Sequence, residues 1–166
     1  MGPWIRLVLI LTMVTAVGCT KRDRKADYDL PLNETLRINI LQEPPSLDWS
    51  KSVDTTSSLV ENNIMEGLVE YNVADPELSL VPALATEWKP NTNATVWTIT
   101  LRKGVKWTDG VDFTGQHVID GWERLLNPAT ASEYAYFLFG VKNAQAYNQG
   151  KIKDFSQVGV KVDPQG

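Results

Sequence analysis

Apolar and polar residues alternate most clearly in the middle of the chain. Val96, Thr98, Thr100 and Arg102 fall on one side of an extended segment, and Trp97, Ile99 and Leu101 on the other. That period of two is the signature of a β-strand. Val105 and Trp107 follow, then Thr108-Asp109-Gly110, a loop whose glycine tolerates positive φ. Before this region, the turn-like Pro90-Asn91-Thr92-Asn93 separates it from residues 80–88, an apolar connector interrupted by Pro82. Leu68, Val69 and Tyr71 predict a short strand. Leu36, Ile38 and Ile40 alternate with Arg37 and Asn39 and predict another over residues 35–41. Gln42-Glu43-Pro44-Pro45 stops it, because proline lacks the amide donor and restricts the residue before it. The strands together predict a β-meander.

A longer period marks the helices. Ser58 and Glu61 have capping-box spacing and open a helical stretch to about Glu66, with Leu59, Val60, Ile64 and Met65 as its stripe and Gly67 as its stop. Thr114 is placed to cap a second helix that reaches Leu126 and ends at Asn127-Pro128. Val118, Trp122 and Leu125 recur at i, i+4 and i+7, and Ile119 and Leu126 widen the stripe. A third helical stretch covers residues 132–139. The tail carries Ala144-Gln145-Ala146-Tyr147 and a final alternation of Val158, Val160 and Val162. The fold class is α+β. Length, 166 residues, suits about one domain.

Composition narrows the function. Hydrophobic residues make up 43% and charged residues 22%, as in globular chains. Lys plus Arg is 16 against 20 Asp plus Glu, net charge -4, which argues against nucleic acid as a partner. One Cys and one His build neither a zinc site nor a disulfide framework, so no metal and no cofactor is expected. Beyond the amino-terminal segment, Trp49, Trp88, Trp97, Trp107 and Trp122 supply core material, each able to bury ~150–250 Å².

The amino terminus reads separately. From Leu7 to Val17 the chain is almost wholly apolar, with Arg6 before it and Gly18-Cys19 after. About 11 residues are too few to span a bilayer, which takes ~20, but suit the apolar region of a secretory leader. Ala16-Val17-Gly18-Cys19 resembles a bacterial lipoprotein box, which implies acylation of Cys19 and a signal peptide over residues 1–18. A plain signal peptide or a short membrane anchor are the alternatives. Residues 19–34 then form a tether. Thr20 to Asp29 mixes basic and acidic side chains with one large apolar residue, Tyr28, and would behave as a coil with a reach of roughly 15–20 Å.

Several longer stretches carry a resemblance. Glu43-Pro-Pro-Ser-Leu-Asp48, Glu66-Gly67-Leu-Val-Glu70 and Pro82-Ala-Leu-Ala-Thr-Glu-Trp88 are joined by Val96-Trp97-Thr-Ile-Thr-Leu-Arg-Lys-Gly-Val-Lys-Trp-Thr-Asp-Gly110. Phe113-Thr114, Trp122-Glu-Arg-Leu-Leu-Asn-Pro128 and Thr130-Ala131-Ser132 continue the series. These residues resemble the extracytoplasmic peptide-binding proteins of bacterial ABC transporters, the oligopeptide- and dipeptide-binding group of solute-binding proteins. The segment at 127–134 looks most like the oligopeptide branch. Two positions depart from the pattern: members usually carry Pro where Asp112 stands, and often Asp where His117 stands.

The resemblance implies a partial first lobe of a two-lobed periplasmic-binding-protein (Venus flytrap) fold, with a mixed sheet and packing helices. Residues 35–166 would be this N-terminal lobe, truncated, with the second lobe absent. It implies short peptides as ligands, ABC-transporter permease subunits as partners, a membrane reached through the amino-terminal lipid, and a monomer outside the cytoplasm. By motif, Tyr134 matches a residue that contacts the bound peptide, and packing is its ordinary alternative. Val53 and Thr55 match a loop that lines the peptide cleft; the oligopeptide group can carry Glu at the Val53 position, so a charge contact there is lost. Both are otherwise plain loop residues.

Asp109-Gly110 reads as a structural turn, Thr114 as a helix cap, and His117 as a lone imidazole with Asp120 its nearest candidate co-ligand. Relatives that carry nickel, sugars or opines, and a truncated remnant without transport activity, remain alternatives. An enzyme is the weakest reading, since one His assembles no Ser-His-Asp order. Palmitate labelling of the expressed protein should be strong in the native sequence and vanish in Cys19→Ser; label that survives the substitution would remove the anchor.

Overall fold

The alternation around Trp97 forms a strand because a neighbouring strand meets it. The computed structural model describes residue 33 and residues 35–163. The leader, Cys19 and, Asn33 aside, the tether lie outside the described residues. The chain divides into two units, residues 1–39 and 40–166, and the elements below belong to the second. They are α1 (Thr55–Ile64), β1 (Val69–Tyr71), β2 (Leu80–Pro82), β3 (Ala85–Pro90), β4 (Trp97–Leu101), α2 (Gly115–Leu126) and α3 (Ala144–Asn148), with 3-10 turns at Pro128–Thr130, Ala135–Leu138 and Phe155–Gln157.

The α+β class stands, and among the described residues both sheets are two-stranded and antiparallel rather than one mixed sheet. β1 pairs with β2 in the register Val69↔Pro82 to Tyr71↔Leu80. β3 pairs with β4 from Ala85↔Leu101 to Pro90↔Trp97, with an irregularity between Ala85 and Glu87. The side chain of Asn91 closes the intervening turn by accepting from the amides of Thr95 (2.9 Å) and Val96 (3.1 Å). Backbone bonds stitch the ladders together: Leu84 and Ala85 donate to Gly67 and Leu68, and Arg102 donates to Leu84.

Residues 80–88, expected as a connector, are two strands. Pro82 and Pro90 are each the last residue of a two-stranded ladder, where a missing amide costs little. Residues 35–40 form no strand, and Leu36 and Ile38 are exposed. The ladders close on β1–β2 and β3–β4, and an alternating segment becomes a strand only where a neighbour offers hydrogen bonds. The expected helix near Ser58 begins three residues earlier and ends sooner, at Ile64, with Met65 extended beyond it and Gly67 outside. The Ser58–Glu61 spacing is overridden by Asp54, whose carboxylate takes the first free amides.

α2 runs as its stripe predicts, from the Thr114 cap position to Asn127. Its carboxy-terminal half carries the core: Leu126 (1% exposed) meets Ala135, Ala144, Tyr147 and Val158, with Leu138, Phe139 and Phe155 packed around them. Tyr147 and Phe155 meet edge to face at 5.1 Å, and burial, aided by Glu123, pushes the Tyr147 phenol above its ordinary range. Asn148 Nδ2 donates to the Leu126 carbonyl at 3.0 Å, satisfying a group that the helix end leaves open. The helical stretch expected at residues 132–139 shrinks to the 3-10 turn Ala135–Leu138. Leu126→Ala should lower stability by about 2–5 kcal/mol in chemical denaturation, as expected when a fully buried Leu leaves a cavity.

Candidate functional site

The loop before α1 is gathered around one residue, Asp48, through its main-chain carbonyl and its carboxylate. The Asp48 carbonyl accepts the amides of Lys51 (2.7 Å) and Ser52 (2.9 Å), and its Oδ1 accepts that of Ser50 at 3.2 Å. Its Oδ2 pairs with the Arg124 guanidinium of α2. Beside it Trp49 lies over Gly121, where an added Cβ would stand 3.3 Å from the indole. The loop is thus seated on α2 at a place where only hydrogen fits without adjustment. Its far end is held to α1: Ser52 donates its hydroxyl to Glu61 Oε2 at 2.7 Å.

Asp54 starts α1. Its Oδ1 accepts the amides of Thr56 (3.0 Å) and Ser57 (2.9 Å), and the Ser57 hydroxyl donates to Oδ2 at 2.6 Å. These donors, the Ser57 hydroxyl first, hold the Asp54 carboxyl below the ordinary carboxylate range. Between the two anchors Val53 and Thr55 are exposed. Among the described residues, neither Val53 nor Thr55 donates its amide to a protein acceptor. The two are spaced as alternate residues of a strand.

A groove of about 1040 Å³ opens against this segment. Val53, Thr55 and Tyr134 all line it, so the segment before α1 and a residue distant in the chain share one surface. Val53 (46%) and Tyr134 (39%) keep large exposed areas, and the Tyr134 ring meets those of Tyr136 (6.3 Å) and Phe137 (5.6 Å). Trp49, Trp107 and Trp122 supply aromatic walls, and Asp54, Glu61, Glu66 and Glu70 are the charged groups on its lining. No Lys or Arg lines it among the described residues. Glu66 is engaged by Arg102 through both oxygens, at 3.0 and 2.9 Å. Glu61 has one oxygen on Ser52, while its buried Oε1 meets no protein donor among the described residues.

The two departures noted in the sequence are both accommodated locally. Asp112 forms an ion pair with Lys106 across the small hairpin that turns at Gly110, whose φ is +90°. His117 sits at the third position of α2 and its Nδ1 accepts the Thr114 amide at 3.1 Å, the role a capping carboxylate would fill. Trp49, Glu61, Trp107 and His117 were not singled out as site residues by sequence reasoning; their shared lining of the groove arises from tertiary placement, although the bonds of Glu61 to Ser52 and of His117 to Thr114 and Trp107 span ten positions or fewer. Among the described residues no group of three His, Cys, Asp or Glu side chains is placed to hold a metal, and no helix is long and apolar enough to cross a membrane.

Comparison with known proteins gives a consistent picture. Residues 79–163 match the family described as bacterial extracellular solute-binding proteins, family 5 Middle. The periplasmic murein peptide-binding protein MppA of Escherichia coli K12 is 42% identical over 124 residues, 74% of this chain and 22% of that protein. Its solved structure superposes with a TM-score of 0.65. The oligopeptide-binding protein OppA of Bacillus subtilis is 34% identical over 151 residues, 89% of this chain and 27% of the relative. Haemophilus influenzae OppA in complex with the peptide RPPGFSPFR gives a TM-score of 0.67 at 36% identity, covering 74% of this chain and 24% of that one. The chain therefore spans about a quarter of the length of these relatives.

Because the Asp54 carboxyl is held low, its ionised form stabilises the fold. That contribution is complete above the carboxyl's unfolded value and is lost as pH falls through the folded one. Asp54→Asn should therefore melt below the native protein at neutral pH and converge with it in strong acid. A gap that stays constant through the acid range, by circular dichroism, would contradict the capping role.

Proposed function

The chain belongs to the bacterial extracellular solute-binding proteins of family 5, an exported class, and on that premise we propose that its groove receives a short extended peptide for delivery to an ABC-transporter permease. The observation that carries the reading is that Val53 and Thr55, whose amides go to no protein acceptor among the described residues, share the lining of one aromatic groove with Tyr134. An extended peptide has a donor and an acceptor on each residue, and a strand-like edge satisfies them without reference to side-chain identity. Tyr134 offers a flat apolar face with a polar tip, suited to varied side chains. The mechanism is binding alone: no step of bond making or breaking is assigned, and no cofactor is required.

Electrostatics sets a bias. With four carboxylates and no lysine or arginine on the lining, the groove attracts peptides of net positive charge and repels acidic ones. Asp54 and Glu66 are already committed to the α1 cap and to Arg102, which leaves Glu61 and Glu70 as the main sources of the field. In the whole protein, closure around the ligand would produce the form that the permease recognises. The amino-terminal segment fits the same setting: Cys19 would carry the lipid, and residues 19–34 would give the binding unit reach from the membrane surface. Residues 35–166 would contribute one wall of the two-lobed clamp.

Thr55 provides a clean test. It is the first residue of α1, where proline is tolerated because the amide has no helical partner, and Asp54 before it is already extended at φ -114° and ψ 158°. Thr55→Pro should leave the melting curve in place and remove one ligand hydrogen bond. Calorimetric titration of the full chain with a pool of short basic peptides should give saturable heat, weakened about five- to tenfold in the variant, the equivalent of one net hydrogen bond. A folded chain that gives no heat with any peptide would overturn the proposal.

A further inference from the structure

The only histidine of the chain stands on the groove wall, and its Nδ1 is the meeting point of several bonds. Nδ1 of His117 accepts the Thr114 amide at 3.1 Å and the Trp107 indole N–H at 3.3 Å, and the Thr114 hydroxyl lies 3.4 Å away. A nitrogen that receives two N–H donors carries no proton of its own, so the neutral ring holds its hydrogen on Nε2. The ring is also gripped by its neighbours: it meets Trp107 edge-on at 5.8 Å and stacks on Phe113 at 6.1 Å. Trp107, Phe113 and His117 all line the groove. One imidazole nitrogen thus serves both the start of α2 and the orientation of an aromatic wall.

We propose that His117 is a positioning residue: its bare Nδ1 holds Trp107 in the groove wall, and protonation there releases the indole and the α2 amino terminus together. A proton on Nδ1 turns the acceptor into a donor facing two donors, the Thr114 amide and the Trp107 indole. Among the described residues no carboxylate is ion-paired with His117: Glu61, on the same lining, accepts from the Ser52 hydroxyl through Oε2. Asp120 of α2 accepts from Gln116, Lys106 and Asp112 of the hairpin pair with each other, and Glu66, on the same groove lining, is paired with Arg102. Glu70, also on the lining, accepts the Gly67 amide at 3.3 Å. The consequence for ligand binding rests on the peptide-groove reading above, whereas the arrangement of His117 and Trp107 is read without any ligand.

Nitrogen-15 NMR of the full chain reports this directly, since a single histidine gives a single pair of ring resonances. At a pH where the ring is neutral, the Nε2–H tautomer should dominate. On acidification the Trp107 indole N–H, identified by its loss in Trp107→Phe, should shift with the midpoint of the His117 ring. His117→Asn, which keeps an acceptor near the cap, should hold the helix start and abolish the pH response of the indole. A dominant Nδ1–H tautomer, an even mixture, or an indole resonance indifferent to the histidine would each overturn the proposal. The tautomer measurement uses the native chain, so it stands even where a variant fails to fold. Loss of peptide binding with the tautomer intact would count against the peptide reading and leave this arrangement standing.

Discussion

The site depends on how the segment around Asp48 is seated against α2. The Asp48–Arg124 pair is the visible link, yet its side chains keep 30% and 49% of their exposure, and an ion pair so open to water contributes at most about 1 kcal/mol. The larger constraint is steric and local. Asp48 gathers the amides of Ser50, Lys51 and Ser52 around itself, which fixes the loop's shape before any contact with α2. Trp49 then rests on Gly121, and any larger residue there would crowd it. The ion pair selects the register of an interface that the turn and the indole create. Val53 and Thr55 take their places from this arrangement, because Asp54 between them is committed to the helix cap.

Much of this architecture is written in local patterns. The β4 alternation, the turn at Gly110 and the span of α2 from Thr114 to Asn127 can each be read from a dozen residues, since each obeys a single dominant periodicity. The first helix shows where local reading fails. Two capping solutions compete, at Asp54 and at Ser58, and the earlier one prevails because a carboxylate receiving two amides and a hydroxyl outbids a serine. The strand expected over residues 35–41 fails for the opposite reason: its pattern is right, but a ladder needs a partner that no local pattern reveals. The strands around Pro82 were hidden because proline is a poor strand former everywhere except where it was found, at a ladder's end.

The groove is legible only in part. Val53, Thr55 and Tyr134 were reached through resemblance to a family, and their shared lining of one groove is a tertiary fact. Trp107 and Glu61 have readings in sequence that do not point to a groove: an indole before the turn at Gly110 and a glutamate at capping-box spacing in a helix are ordinary. His117 was noticed as a departure, yet its significance comes from the indole ten positions earlier and the amide three positions earlier converging on one nitrogen. Departures from a family pattern are informative when the structure shows which bond the unusual residue has taken over. At Asp112 that bond is the ion pair with Lys106, and at His117 it is the helix cap.

The two sides of the groove differ in mechanical character. α2 continues into Leu125 and Leu126, which are sealed in the core, so the face that bears His117, Gly121 and Trp122 moves only with the bulk of the molecule. β1 belongs to a ladder three residues long, with Glu70 and Tyr71 exposed and few buried neighbours to resist opening. Backbone bonds from Leu84 and Ala85 tie it to the second ladder, but a pairing of three residues opens at less cost than a helix sealed in the core. Compliance is thereby confined to one bank of the channel, and a guest of unfamiliar bulk would be accommodated by yielding there, while the opposite bank keeps the frame of reference.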